Sequence, residues 1–258
     1  MKVTVVSTPK LRSSTGRVAG HLKQAGYNSL FLPFTRELVR YLTELVEGLP
    51  YEYIIKRLRK SGLIPEPFGA WEYYAEPLLK GLPKIKESNA DLQIYCYGDP
   101  FYSEVSVKNA LEITILTMRA SATGEIDVER WRKLLHDDLE QGFQALRREA
   151  DFVGRKAGRC ENSVCITEFS GGYIATELSE EGYNVERKYL DLPYHLTPLE
   201  TLKNEARQGE VPDERIKILV SYHIDYIQRY VLPSRGPDEA YSKWVHRESR
   251  RLKLPTVM

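Results

Sequence analysis

The residues of this chain best suited to chemistry stand in short turns that follow runs of apolar and β-branched residues. Ser7, Thr8 and Lys10 follow a run at 3–7, and Thr35 and Arg36 follow one at 28–32. Asp99 and Tyr102 follow a run at 91–97, and Glu168, Ser170, Gly171 and Gly172 follow one at 162–167. In a parallel sheet such turns lie beyond the carboxyl ends of the strands, where ligands bind. Ser170-Gly171-Gly172-Tyr173 joins a strand to a helix, and glycines there let backbone N–H groups approach an anion at the positive helix end. The same glycines also suit a tight β–α turn for purely steric reasons, since the run is neither a Walker loop nor GxGxxG. Ser7 and Thr8 repeat the pattern after the first run, with Lys10, Arg12 and Arg17 close by to meet a phosphate or carboxylate, or simply to be solvated.

Asp99 and Glu168 follow different strands and could face one another as an acid/base or metal-binding pair. The structural alternative has Asp99 cap the turn that follows it and Glu168 pair with an arginine. Histidine chemistry is not suggested. None of His21, His136, His195, His223 and His246 follows an expected strand, and no HxH, HExxH or HxxxH spacing occurs. GxSxG and zinc-hydrolase patterns are absent as well, so no metal site and no particular cofactor is indicated. Cys160 and Cys165 match neither CxxC nor a zinc knuckle, and with Cys96 they form an odd, small set that argues against a secreted disulfide scaffold.

Thirty-seven Lys and Arg stand against 36 Asp and Glu, a formal net charge of +1. That balance disfavours a nucleic-acid groove, and the basic clusters at 56–60 and 247–253 carry few interleaved aromatics. No apolar run approaches the ~20 residues of a membrane span, and the first residues read as a strand rather than a signal peptide. A cytoplasmic protein is expected. Scarce Cys, Met, Asn and Gln with abundant charges of both signs suggest heat adaptation.

The elements that would position these turns alternate as β-α-β-α over the first 50 residues. Val18, Leu22 and Ala25 mark one helix, and Leu38, Val39, Leu42, Leu45 and Val46 mark the next. A helical insertion is expected over about 50–90, with aromatics at Phe68, Trp71, Tyr73 and Tyr74. A helix over 104–121 carries Val107, Leu111, Ile115 and Met118 on one face, and a long helix runs from 127 to about 157, with a bend expected near Gly142. A fourth strand, a glycine turn, a helix and a fifth strand at 185–190 follow. The tail, about 197–258, reads as helices alone. The expected fold is α/β: one domain, a mainly parallel Rossmann-like sheet of about five strands, with the helical insertion and a helical C-terminal extension.

Two stretches of the chain resemble the TraB/EreA/ChaN-type superfamily. One is VTVVSTPKLRSSTGRVAGHLKQAGYNSLFLPFTRELVRY at 3–41, where Arg36 falls at a family arginine. The other is RREADFVGRKAGRCENSVCITEFSGGYIATELSEEGYNVE at 147–186, which is similar to the family's helix, strand, glycine turn and helix, with a closing strand like "VxVE". Together they cover under half of the chain. Where the family has GxxH after an early and a late strand, this chain has Ser7-Thr8-Pro9-Lys10 and Glu168-Phe169-Ser170-Gly171, and Phe34 and Thr35 stand where an acidic residue is expected. The resemblance therefore implies the scaffold without the family's metal or base chemistry.

Three functions fit these residues. One is binding of a small anionic or nucleotide ligand at the Ser7/Thr8 and Ser170–Gly172 turns. Another is a hydrolase or transferase using Asp99, Glu168 and an arginine. The third is a non-enzymatic interaction protein whose partner surface is the aromatic insertion and the C-terminal helices, with a homodimer among the partners considered.

Overall fold

Three apolar runs are buried along nearly their whole length, and this is the pattern of central strands covered on both faces. They are β1 (Lys2–Ser7), β2 (Ser29–Thr35) and β4 (Asn162–Thr167). The less buried β3 (Gln93–Gly98) and β5 (Asn184–Tyr189) form the edges of an all-parallel sheet of order β3-β2-β4-β1-β5. The computed structural model describes every residue except 25, 65, 66, 170, 250, 251 and 253, so Ala25 and the ligand candidate Ser170 lie outside the described residues.

Helices α1 (Arg12–Gln24), α2 (Val39–Val46), α3 (Tyr51–Ser61) and α4 (Phe68–Ser88) connect the first three strands. They pack on Val6, Leu30, Leu32, Phe34, Val164 and Ile166 on one face of the sheet. The intervening strand residues Val3, Val5, Phe31 and Cys165 point to the opposite face. There they meet Ala150, Val153 and Ala157 of α6 (Val128–Ala157) and Ile174, Ala175 and Leu178 of α7 (Gly171–Glu180). The period-2 alternation of a strand thus divides one apolar run between two cores.

The second strand does not stop with the apolar run at 28–32 but passes through Pro33. β2 continues to Thr35, and the register with β3 shifts between Leu32 and Thr35. Proline has no N–H for the ladder, so a local irregularity replaces a strand end. Gly98 lies opposite this irregularity, and a Cβ there would come within 2.8 Å of the Phe34 carbonyl. The insertion over about 50–90 is helical, as expected. Its last helix runs unbroken from Phe68 to Ser88 through Pro77 and Pro83. Phe68 is buried, and Trp71 packs edge-on to Phe34 at 5.5 Å. Phe68 and Trp71 thus belong to the core on this face of the sheet.

The chain gathers into two compact units: Met1–Glu104 with Gln144–Asp191, and Val105–Phe143 with Leu192–Met258. The sequence suggested one domain with a helical tail. In the structure the tail shares its own core with the middle of the chain. That second unit holds most of α5 (Pro100–Thr123), the first part of α6, α8 (Pro198–Gln208), α9 (Asp213–Tyr226) and α10 (Pro237–Trp244). Its core surrounds Trp131, Leu219, Val220 and Trp244. It also contains a small antiparallel pair that the all-helical expectation missed, β6 (Tyr194–His195) with β7 (Thr256–Val257). On α5 the buried face is Ile113, Leu116, Thr117 and Ala120. Leu111, Ile115 and Met118, the face marked by sequence, point to solvent. This helix carries apolar residues around most of its girth, so periodicity alone did not choose the side that packs.

His223 on α9 is buried in the second unit, its Nδ1 has no partner among the described residues, and burial lowers its pKa to about 4. The unfolded imidazole takes up a proton near pH 6.5. The native state resists that proton, so this group's stability contribution is complete above pH 6.5 and falls as pH drops toward 4. A loss of roughly 2 kcal/mol is expected between pH 7 and pH 5. In a Trp71→Phe background, fluorescence of Trp131 and Trp244 reports unfolding of this unit. His223→Phe should flatten the pH dependence; an unchanged slope would mean that another group carries it.

Candidate functional site at the carboxyl edge of the sheet

The β1–α1 connection leaves the sheet toward β2, and the β4–α7 connection leaves toward β5. Because β1 lies on the β5 side of β4, each path passes over the other strand, and the two part by face alone, one above and one below the sheet, at the adjacent ends of β1 and β4. In doubly wound sheets this parting is where ligands bind. Along the edge, from β3 to β5, stand Asp99, Arg36, Glu168, Ser7 with Thr8, and Arg187, all within the first unit.

At the parting, Ser7 is in register with Thr167, and their hydroxyls hydrogen-bond at 3.1 Å. The Thr8 N–H donates to the Thr167 carbonyl at 3.0 Å. The first turn of α7 sits directly on this pair: a Cβ at Gly171 would overlap Thr167 Oγ1 and lie 2.6 Å from Ser7 Oγ. Gly171 therefore answers a steric need, and the Ser7 hydroxyl is engaged within the protein. Two other hydroxyls flanking the first β–α turn, Thr8 Oγ1 and Ser14 Oγ, are buried and have no partner among the described residues. Each such group costs ~1–3 kcal/mol when left unsatisfied.

A Cβ at Gly172 would lie 2.9 Å from Nη2 of Arg187, so a guanidinium stands beside the first turn of α7. Arg187 donates to Tyr189 Oη at 2.6 Å and has no carboxylate partner among the described residues. Lys10 lies 3.2 Å from Glu168 Oε1 and 4.9 Å above the Tyr74 ring. Glu168 and then Tyr74 raise the lysine's pKa. Both members of this pair are about half-exposed, so it contributes little to stability.

Around Asp99 the elements converge more tightly. Burial pushes the Asp99 carboxyl up, but hydrogen bonds from Arg148 (2.7 and 3.2 Å) and from the Tyr102 N–H (2.9 Å) outweigh it, and the pKa ends below the ordinary carboxylate value. Asp99 thus caps α5, and Glu168 pairs with Lys10 instead of an arginine. Each carboxylate has its own cation, and they are not built as one bonded pair. The Asp99 N–H donates to Glu149 Oε1 at 2.9 Å. Burial is the main cause that raises Glu149 to about 7. The Asp99 N–H and the Arg36 charge oppose the rise, while the charges of Asp99 and Glu168 add to it. Arg36 donates to the Arg148 carbonyl at 3.2 Å and stacks 4.7 Å over Phe152. Its Nε is buried without a partner, and it forms no ion pair among the described residues.

Glu149, Arg148 and Arg187 escaped notice in the sequence because none follows a strand. Glu149 did carry a signal: it lies in the helical line of Ala145, Ala150, Val153 and Ala157, a carboxylate set among buried positions. Among the described residues no three His, Cys, Asp or Glu side chains are placed to hold a metal ion, and no helix is long and apolar enough to cross a membrane. Cys96, Cys160 and Cys165 are free thiols. The fold and its edge define an α/β protein of the Rossmann-like, parallel-sheet class. No protein-family model, curated protein or solved structure matches this chain.

Proposed function

We propose that the carboxyl edge of the sheet binds a small anionic or nucleotide ligand. One observation carries this reading. Among the described residues Arg36 and Arg187 have no carboxylate partner, although their neighbours Lys10 and Arg148 do. A guanidinium offers a planar fork of donors suited to phosphate or carboxylate. Gly172 at the start of α7, and the Thr8 hydroxyl, which has no partner among the described residues, add neutral donors of the kind anion sites use, while the Gly171 N–H is held by the Glu168 carbonyl at 3.1 Å. A TraB-like scaffold without its histidines would retain such a cradle. Free thiols fit a reducing, cytoplasmic setting.

Isothermal titration against nucleotides and phosphorylated metabolites tests the proposal. Arg36→Ala and Arg187→Ala should each weaken a detected ligand by roughly 10- to 100-fold, and Lys at either position should recover only part of the loss. Absence of heat from every member of the panel, or binding indifferent to both substitutions, would remove it.

A second reading, a carboxylate-dependent hydrolase or transferase, is favoured by a different observation. Glu149, with its pKa near 7, is suited to take or give a proton at neutral pH. In that reading Asp99 holds the Glu149 carboxylate through its backbone N–H and Arg36 receives the anionic substrate.

A further inference from the structure

The solvent face of α5 departs from the rest of the surface. Leu111, Ile115 and Met118 are 61%, 45% and 67% exposed. At 100° per residue they fall, with Glu104, within about 60° of the helix circumference. They form one apolar stripe at i, i+4, i+7, the spacing that seats one helix against another. Glu104 lies N-terminal to the stripe, Arg119 lies at its C-terminal end, and Lys108 flanks it. All three charges are exposed, and none forms an ion pair among the described residues. On α6, by contrast, Arg130 and Arg132 are each paired with a carboxylate.

We propose that two copies of this chain pair through this face of α5, with the two helices antiparallel. The charge order along the helix favours a second copy, because an antiparallel pair sets a negative end against a positive end twice. With the two-fold axis at the level of Ile113, Leu111 meets Ile115 of the partner subunit, and the stem of Lys108 lies over Met118 of the partner subunit. Along α5, Glu104 is then nine residues from the axis and Arg119 six. At a rise of about 1.5 Å per residue, Glu104 and Arg119 of the partner subunit differ in height by about 4.5 Å, within reach of two long side chains. The pairing is independent of any ligand at the sheet edge.

Light scattering on the full chain between ~1 and ~500 μM tests it. The expected result is a mass rising from 29.8 kDa toward twice that value, with a dissociation constant in the micromolar range typical of small interfaces. Leu111→Glu with Met118→Glu should leave a monomer throughout, and unchanged near-UV circular dichroism would show that these exposed positions leave the fold intact. Glu104→Arg alone and Arg119→Glu alone should each weaken pairing by roughly fivefold or more, and the two together should restore it. A mass of one chain at every concentration overturns the proposal. So does a dimer indifferent to the double Glu variant, or one that the combined charge swap fails to rescue.

Discussion

Alanine at position 171 is expected to destabilise the first unit by about 3 kcal/mol, at the upper end of overpacking costs. The added methyl would overlap Thr167 Oγ1 and sit 2.6 Å from Ser7 Oγ. Neither obstacle is the far end of a flexible chain. Ser7 and Thr167 are 3% and 1% exposed on the two central strands, and their hydroxyls are bonded to each other. Relief therefore requires α7 to move, which pulls Ile174, Ala175 and Leu178 away from Val3, Val5 and Cys165. For a chain of this size that cost corresponds to a melting temperature lower by roughly 6–12 °C. Thr167→Ala removes the nearer obstacle, so the Gly171→Ala/Thr167→Ala pair should lose less than the sum of its members, by roughly 1 kcal/mol or more. Strictly additive effects, or a Gly171→Ala protein that melts with the parent, would show that α7 does not rest on this hydroxyl pair.

Glu149→Gln should make the first unit less sensitive to pH between about 4.5 and 7. The native carboxyl titrates near 7, against an ordinary value of 4.5. The folded state therefore binds the proton more tightly than the unfolded chain does across that window. This group's contribution to stability is greatest below 4.5, declines as pH rises through the window, and is lost above 7. The difference corresponds to at most roughly 3 kcal/mol. Glutamine keeps an oxygen to accept the Asp99 N–H bond but cannot ionise, so the variant should match the parent near pH 5 and exceed it at pH 8. The groups facing this carboxyl are Asp99 at the end of β3, Arg36 at the end of β2, Glu168 at the end of β4, and Arg148 on its own helix. Because His223 contributes with the opposite sign, urea midpoints at pH 5, 6, 7 and 8 should be compared in a His223→Phe background. Parallel curves for parent and variant would place the Glu149 titration elsewhere. An anion bound nearby raises the same carboxyl further, so ligand affinity should fall above pH 7 in the parent and stay level in Glu149→Gln.

Strand runs and helical periodicity were enough to locate the five parallel strands, most of their connecting helices, and the edge residues Ser7, Arg36, Asp99 and Glu168. These features depend on neighbours close in the chain. A β-branched run, a glycine stop or a capping aspartate acts over a few residues, and topology rules then place the turns along one edge. Glu149 was not legible in the same way. Its proton affinity depends on burial against the ends of three strands, with Asp99 fifty residues away and Arg36 more than a hundred. The partners of Asp99 and Glu168 were also decided in space, since Arg148 and Lys10 come from other elements. On α5 the apolar stripe at Leu111, Ile115 and Met118 was visible from sequence, but its exposure was not. Apolar residues surround most of that helix, and only packing against Trp131, Leu135 and their neighbours selects which side leaves water. The sequence by itself determined which segments form strands and helices and which turns share the sheet edge. Tertiary structure alone decided which charges are paired, which carboxyl titrates near neutral pH and which apolar face stays in solvent, because desolvation and Coulomb energy depend on distances that local sequence does not encode.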